Sequence, residues 1–463
     1  MRSPEVDRRR FLGLGLATAG GLTLGGTALG VHPLVPAAAQ ESDGPYGPLR
    51  NPDPLGIRLP EGFTSRLIAT SDETVARTGY RWHPRPDGGA TFPTDDGGWI
   101  YVSNSEVRDG RVGAVRFDRS GAIVGAYSIL EGSTINCAGG ATPWGTWLSC
   151  EEVDHGRVFE CDPTGRNAAI ERPTLGNFKH EAACVDPQGE KVYLTEDEGD
   201  GRLYRFTSSA WPSLERGRLD VAVVSANGAV EWREVHDRNG RPKRTRTQVD
   251  ESTAFNRGEG IWYDDGRVYF VTTGDGKVWA YDPSERQLAV LYDPDRFRDP
   301  PLVKPDNITV TPAGEVLVAE DVDDDQELVL VSSDGTASPL LRLSGQSGSE
   351  ITGPAFDPSG TRLYFSSQLG PDGESEGTTY EISGPFRRRP SVAPSTSTTI
   401  PRAVTTLQER ASSPPRVGGR DGGEDGGVSP LLIAGGAGTA LVVAAGLGWR
   451  LRTRRQPQSP PEA

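Results

Sequence analysis

The chain has 463 residues, a formal net charge of −15, 59 glycines, 37 prolines and a single methionine. Its length suits one large or two medium domains with a substantial core, and its acidic balance excludes a nucleic-acid binder, which needs a basic surface. Aromatic residues spread one or two per strand-like run, among many turn formers, give an all-β composition.

In chain order, residues 1–39 predict a twin-arginine export signal. Asp7-Arg8-Arg9-Arg10-Phe11-Leu12 precedes an apolar, Gly-rich stretch from Gly13 to Val31, and Ala37-Ala38-Ala39 offers a small-residue cleavage site. One domain follows over residues 45–383. Gly97 to Tyr127 is its first candidate repeat and Ile135 to Cys161 its second. The second contains Asn136-Cys137-Ala-Gly-Gly-Ala-Thr-Pro-Trp-Gly-Thr-Trp-Leu-Ser-Cys150-Glu151-Glu152, in which a Gly-rich turn is expected to run into a short aromatic strand, Trp144 to Ser149. Carboxylates taken out of water need a partner charge, and a metal cation is the simplest. The alternative is a solvated acidic turn.

The same plan recurs. Glu181 to Asp197 reads as a strand, an Asp-Pro-x-Gly turn and a second strand ending in acids; segments starting at Glu259, Asp306 and Glu350 repeat it. Third strands follow, as in Gly201 to Phe206 and Gly276 to Tyr281. This periodicity predicts a β-propeller of about six blades. Glu181, Glu259, Asn307 and Glu350 would then begin inner strands and open onto one face. The pairs Glu151-Glu152, Glu196-Asp197 and Glu320-Asp321, at the ends of second strands, would return to that face. Like charges so gathered require bound cations or raised pKa values. An oxygen-rich set suits calcium, and a thiolate among carboxylates suits iron or another transition ion. The charged loops Arg238 to Arg246 and Asp321 to Asp325 read as solvated turns.

Beyond the domain, residues 384–428 are rich in Pro, Ser, Thr, Gly and Arg and read as a flexible stalk. Residues 430–449 form an uncharged run long enough to span a bilayer, and the basic tail 450–463 puts the C-terminus in the cytoplasm. The expectation is a single-pass protein of the cell membrane, monomeric, with its folded domain on the extracytoplasmic side.

The Cys137-to-Glu152 run, His180-Glu181-Ala-Ala, Arg257-x-Glu259-Gly, Pro305-Asp306-Asn307 and Glu350-x-Thr-Gly-Pro together resemble the PhoX-type alkaline phosphatases. The resemblance covers nearly the whole exported domain. It implies a twin-arginine-exported propeller combining iron with calcium and acting on small phosphorylated substrates. It makes Cys137 the iron-binding thiolate beside Glu181, has Glu259 and Asp306 bind or bridge metals, and gives Arg257 the substrate phosphate. Glu152, or Glu151 beside it, would complete the calcium side, with Glu196, Glu320 and Glu350 as further ligands carried over partly on blade position. Cys137, Arg257 and Glu259 would be the catalytic set. The chain departs from the pattern in its shortness, its C-terminal span and its extra thiols Cys161 and Cys184, which with Cys150 leave disulfide pairing open. His180 could orient a ligand or be structural.

Phosphoryl transfer requires charge neutralisation and in-line placement, which a multi-metal cluster supplies. Gly-x-Ser-x-Gly occurs once in the domain, at Gly373 to Gly377, in an acidic turn-rich run without the strand-then-helix pattern of a nucleophile elbow, so a serine nucleophile is not indicated. Two other readings use the same acids: a calcium-dependent lactonase or phosphotriesterase-like propeller, which would not need Cys137, and a non-catalytic surface propeller braced by calcium.

Overall fold

The structure is a computed structural model and describes residues 44–390 apart from 323, 324, 372, 374 and 375. Six antiparallel sheets of four or five strands follow one another in chain order, each meandering outward from an inner strand. The inner strands are Pro86–Pro93, Asn136–Ala141, His180–Asp186, Gly258–Asp264, Pro305–Val310 and Ile351–Phe356. They open blades one to six of a propeller.

Blades stack face to face, so their strands bury both sides. Trp99–Ser105, His180–Asp186 and Gln326–Val331 are buried at every position, without the in-out alternation of a sheet that faces water. Each junction between neighbouring blades holds its own apolar cluster. Ile100, Val112, Trp147 and Phe159 join the first to the second, and Leu317, Leu328, Leu363 and Phe365 the fifth to the sixth. Tyr101 and Phe117 stack on Tyr364 where the first blade meets the last. The ring is closed by the start of the chain: Thr64–Thr70 pairs with Thr378–Ser383 as the outer strand of the sixth blade, and Ile57–Arg58 pairs with the fifth. Closure leaves only short outer edges.

All six inner strands carry a register shift near their start, between Pro86/Gly89, Asn136/Gly139, His180/Ala183, Gly258/Ile261, Pro305/Ile308 and Thr352/Ala355. A bulge kinks the strand and re-aims a side chain. Here the strands are also very close. A Cβ on Gly88 would lie 2.5 Å from Ala138 Cα, and one on Gly140 would lie 1.8 Å from the carbonyl oxygen of Ala183. This closeness corrects one expectation. Gly139-Gly140 lies inside the inner strand of the second blade rather than in a turn, and the aromatic strand starts at Trp147. The glycines serve close approach of backbones at the axis.

The chain also stays docked further than its composition implies. Phe386 is buried against Tyr46, Phe63 and Phe356, and Arg389 pairs with Asp264. An average over a Pro/Ser/Arg-rich tract hides one aromatic anchor, so residues 384–390 belong to the folded unit. The expected export signal, the rest of the expected stalk, and the expected membrane span and basic tail lie outside the described residues. Among the described residues no helix is long and apolar enough to cross a membrane.

Candidate metal centre

The first residue after each bulge begins is the one turned to the axis. In blades one to five these are Asp87, Cys137, Glu181, Glu259 and Asp306, all but Asp306 buried below a tenth of their surface. The residues that follow the second strands return beside them: Glu106, Glu152, Asp197 and Asp321, with Thr273 in blade four and Gln368 in blade six. Three groups of donor atoms come within 4.8 Å of one another: Glu106, Cys137 and Glu152; Asp87, Glu106 and Glu350; and Glu181, Glu259 and Asp306. Cys137 Sγ is 3.2 Å from Glu181 Oε1, which links the first group to the third. Acids from separate blades therefore meet at one mouth, as the repeat predicts.

Burial pushes Asp87, Glu106, Glu181, Glu259, Glu350 and the Cys137 thiol up, and for all of these except Glu106 the neighbouring carboxylate charges push further. Glu152 is pushed up to about 8 by burial, against the pull of Lys179, and Asp306 to about 7 by burial and Asp321. Asp197 behaves oppositely. Burial would raise it, but hydrogen bonds from Arg257 and Lys179 hold it at about 2. The protein's own cations thus satisfy one carboxylate of the set and leave the rest short of positive charge. Glu181 Oε2 is buried with no hydrogen-bond partner; Glu259 Oε1 lies 2.9 Å from Arg257 Nη2 but outside hydrogen-bonding alignment. Hard carboxylate oxygens and one sulfur donor, buried together with too few cations of the protein's own, fit multivalent cations.

Cys137, Glu152, Glu181, Glu259, Asp306 and Glu350 converge; Glu151, Glu196 and Glu320 do not. Successive strand residues face opposite ways, so only one acid of each adjacent pair reaches the mouth. Glu151 accepts hydrogen bonds from the Thr134 and Arg157 amides and from the Arg157 guanidinium. Glu196 takes Tyr204 Oη and Arg246, and Glu320 takes the Val303 amide. Glu151→Ala is therefore expected to lower stability by about 1–3 kcal/mol through its orphaned donors while leaving metal content unchanged, checked by thermal melting and elemental analysis.

Further corrections concern position. Asn307 lies one residue past the ring and accepts the Gly353 amide at 2.6 Å. Glu350 sits just before its strand, at the position Arg257 holds in blade four, and reaches in from there. His180 is structural: its Nε2 is 2.9 Å from the Gly176 carbonyl oxygen, its ring lies on Phe178, and burial lowers it to about 3, so it is neutral. Arg246 is buried, bridging Glu196, Glu198 and Asp200, rather than in a solvated turn. All four cysteines are free thiols. Sequence reasoning missed Asp87 and Glu106, whose carboxylates share the Gln368 side-chain amide at 2.7 and 2.8 Å. The signal was present: Asp87-Gly-Gly matches Cys137-Ala-Gly once the bulges are aligned.

The model for the family alkaline phosphatase PhoX matches residues 119–155 and 153–370, more than half of the chain. The chain belongs to the PhoX family. It is accordingly a hydrolase of phosphoric ester bonds. Among solved structures, PhoX of Pseudomonas fluorescens in complex with vanadate, a transition-state analogue, aligns with a TM-score of 0.62 at 17% identity, covering 73% of this chain and 97% of that one. A gluconolactonase of Xanthomonas campestris aligns at 0.41 and 14% identity, over 77% and 99% of the two chains. The calcium-binding regucalcin of Agrobacterium tumefaciens aligns at 0.40 and 12%, over 70% and 97%. No curated protein sequence matches significantly. For this PhoX family member the propeller and the family both agree with the sequence expectation.

Proposed function

We propose that this chain hydrolyses phosphate monoesters through an iron and calcium cluster held by Cys137, Asp87, Glu106, Glu152, Glu181, Glu259, Asp306 and Glu350. The single observation that carries the reading is the convergence of buried, mutually repelling carboxylates and one thiol, with Glu181 Oε2 buried and without a hydrogen-bond partner. Cations bound there would neutralise charge on a transferring phosphoryl group and acidify a water as nucleophile.

The chain's residues supply the rest. Cys137, between Glu106 and Glu152 and touching Glu181, offers the one soft donor, which favours a transition ion on that side. Glu181, Glu259 and Asp306 offer only oxygens, which favours a hard cation. Arg257 is anchored by Asp197 and Glu259 and is about 44% exposed, so it can turn its remaining donors to a phosphate at the mouth. Its backbone, with φ of 57°, lies in the left-handed region, as do those of Arg85 and Ile135 at the same position in blades one and two. The Cys137 contacts favour this reading over a lactonase, which needs no thiol.

The twin-arginine signal and the uncharged 430–449 run support export and tethering to the outer face of the cell membrane, with the active domain acting as a monomer on small phosphorylated substrates. The experiment is elemental analysis of protein purified after native export, paired with a general chromogenic phosphate ester. Iron and calcium with turnover are expected; metal without turnover points to a calcium-braced binding propeller.

A further inference from the structure

The residue leading into each inner strand forms a second tier above the ring of acids. Carbonyl oxygens of Arg85, Ile135, Lys179, Arg257, Lys304 and Glu350 accept the amides of Glu106, Glu152, Asp197, Thr273, Asp321 and Gln368, at 3.0, 2.8, 3.3, 3.0, 3.0 and 3.0 Å. Lys179 is thus the counterpart, one blade away, of Arg257. The two share a carboxylate. Asp197 Oδ1 is 2.9 Å from Arg257 Nε, and Asp197 Oδ2 is 2.8 Å from Lys179 Nζ. Lys179 Nζ is also 2.8 Å from Glu152 Oε1, and its side chain is 30% exposed.

We propose that Lys179 is a second anion-binding residue, gripping one non-bridging oxygen of the substrate's phosphoryl group while Arg257 grips another. Asp197 then acts as a positioning residue that sets the spacing of the two. Each cation keeps donors to spare. An ammonium carries three N–H groups and a guanidinium five, and the two contacts of Lys179 leave one while the contacts of Arg257 leave its Nη1 group. The oxygens of a phosphoryl group and of a carboxylate are similarly spaced, so cations set by Asp197 on one side match two phosphoryl oxygens on the other.

This inference rests on the phosphatase reading, and the test separates the two. Inorganic phosphate is titrated calorimetrically into the natively exported, metal-loaded protein, its K179M variant and its K179R variant, with metal content measured on each. Loss of one charge-assisted hydrogen bond is expected to weaken phosphate binding by roughly 10- to 100-fold in K179M, with metal content unchanged and most of the affinity restored in K179R. KM for a phosphate ester should rise with it. Unchanged phosphate affinity in K179M would overturn the proposal. So would a gain or loss of bound metal in that variant, which would make Lys179 an internal counter-charge. Should the wild-type protein hydrolyse no ester yet lose phosphate affinity in K179M, the clamp stands and the phosphatase reading fails.

Discussion

Replacing Glu259 by glutamine is expected to lower kcat/KM for a phosphate monoester by roughly a thousandfold or more, as loss of an ionised group facing the reacting centre does. The substitution keeps volume and removes one charge from the Glu181–Glu259–Asp306 group. The same variant, stripped of metal, should melt higher than stripped wild-type protein. Burial and the charges of Asp306, Asp197 and Glu152 oppose ionisation of Glu259 more than Arg257 favours it, so a side chain that is neutral without taking up a proton removes that cost. Lower activity with higher metal-free stability separates a functional charge from a structural one. Cys137→Ala is its companion: it should abolish turnover too, whereas a lactonase-like site with a single calcium would tolerate it.

Metal removal should have the second large effect, and its sign follows from linkage. Glu152 and Asp306 have folded-state values near 8 and 7, well above their ordinary carboxylate values. A group raised on folding contributes its stability fully below the unfolded value and loses it as pH climbs through the folded one. Chelated protein should therefore lose stability progressively between about pH 4.5 and pH 8, by on the order of several kcal/mol. Metal-loaded protein should show no such decline, because its ligands are already ionised against cations. Thermal melting across that range, with and without chelator, reads the difference. Parallel curves would mean that the acids are neutral in the working protein.

Periodicity made the propeller legible, because each blade repeats a strand, a turn and an acid at fixed spacing. The ring of acids was legible for the same reason, but only to within one residue. Glu151-Glu152, Glu196-Asp197 and Glu320-Asp321 each place two carboxylates where one can face the mouth. Strand alternation, fixed by hydrogen-bonding register, chooses Glu152, Asp197 and Asp321. Register is set by the bulges, which local sequence does not announce; hence Asn307, one residue past Asp306, was set at the start of its inner strand, and Asp87 went unseen although Asp87-Gly-Gly aligns with Cys137-Ala-Gly. Lys179 was hidden differently. A lysine before a His-Glu motif looks like solvent decoration until the fold puts its ammonium between the acids of two blades. Phe386 shows the limit of composition, since one aromatic side chain docks a segment whose average reads as linker.

The most direct test is anomalous X-ray diffraction from crystals of the protein purified with its native metals, recorded on both sides of the iron absorption edge. A peak within coordination distance of Cys137 Sγ that appears only above the edge is expected, with further cation density, indifferent to the edge, among the Glu181, Glu259 and Asp306 oxygens. An empty mouth, with the carboxylates protonated and hydrogen-bonded to one another, would contradict that expectation.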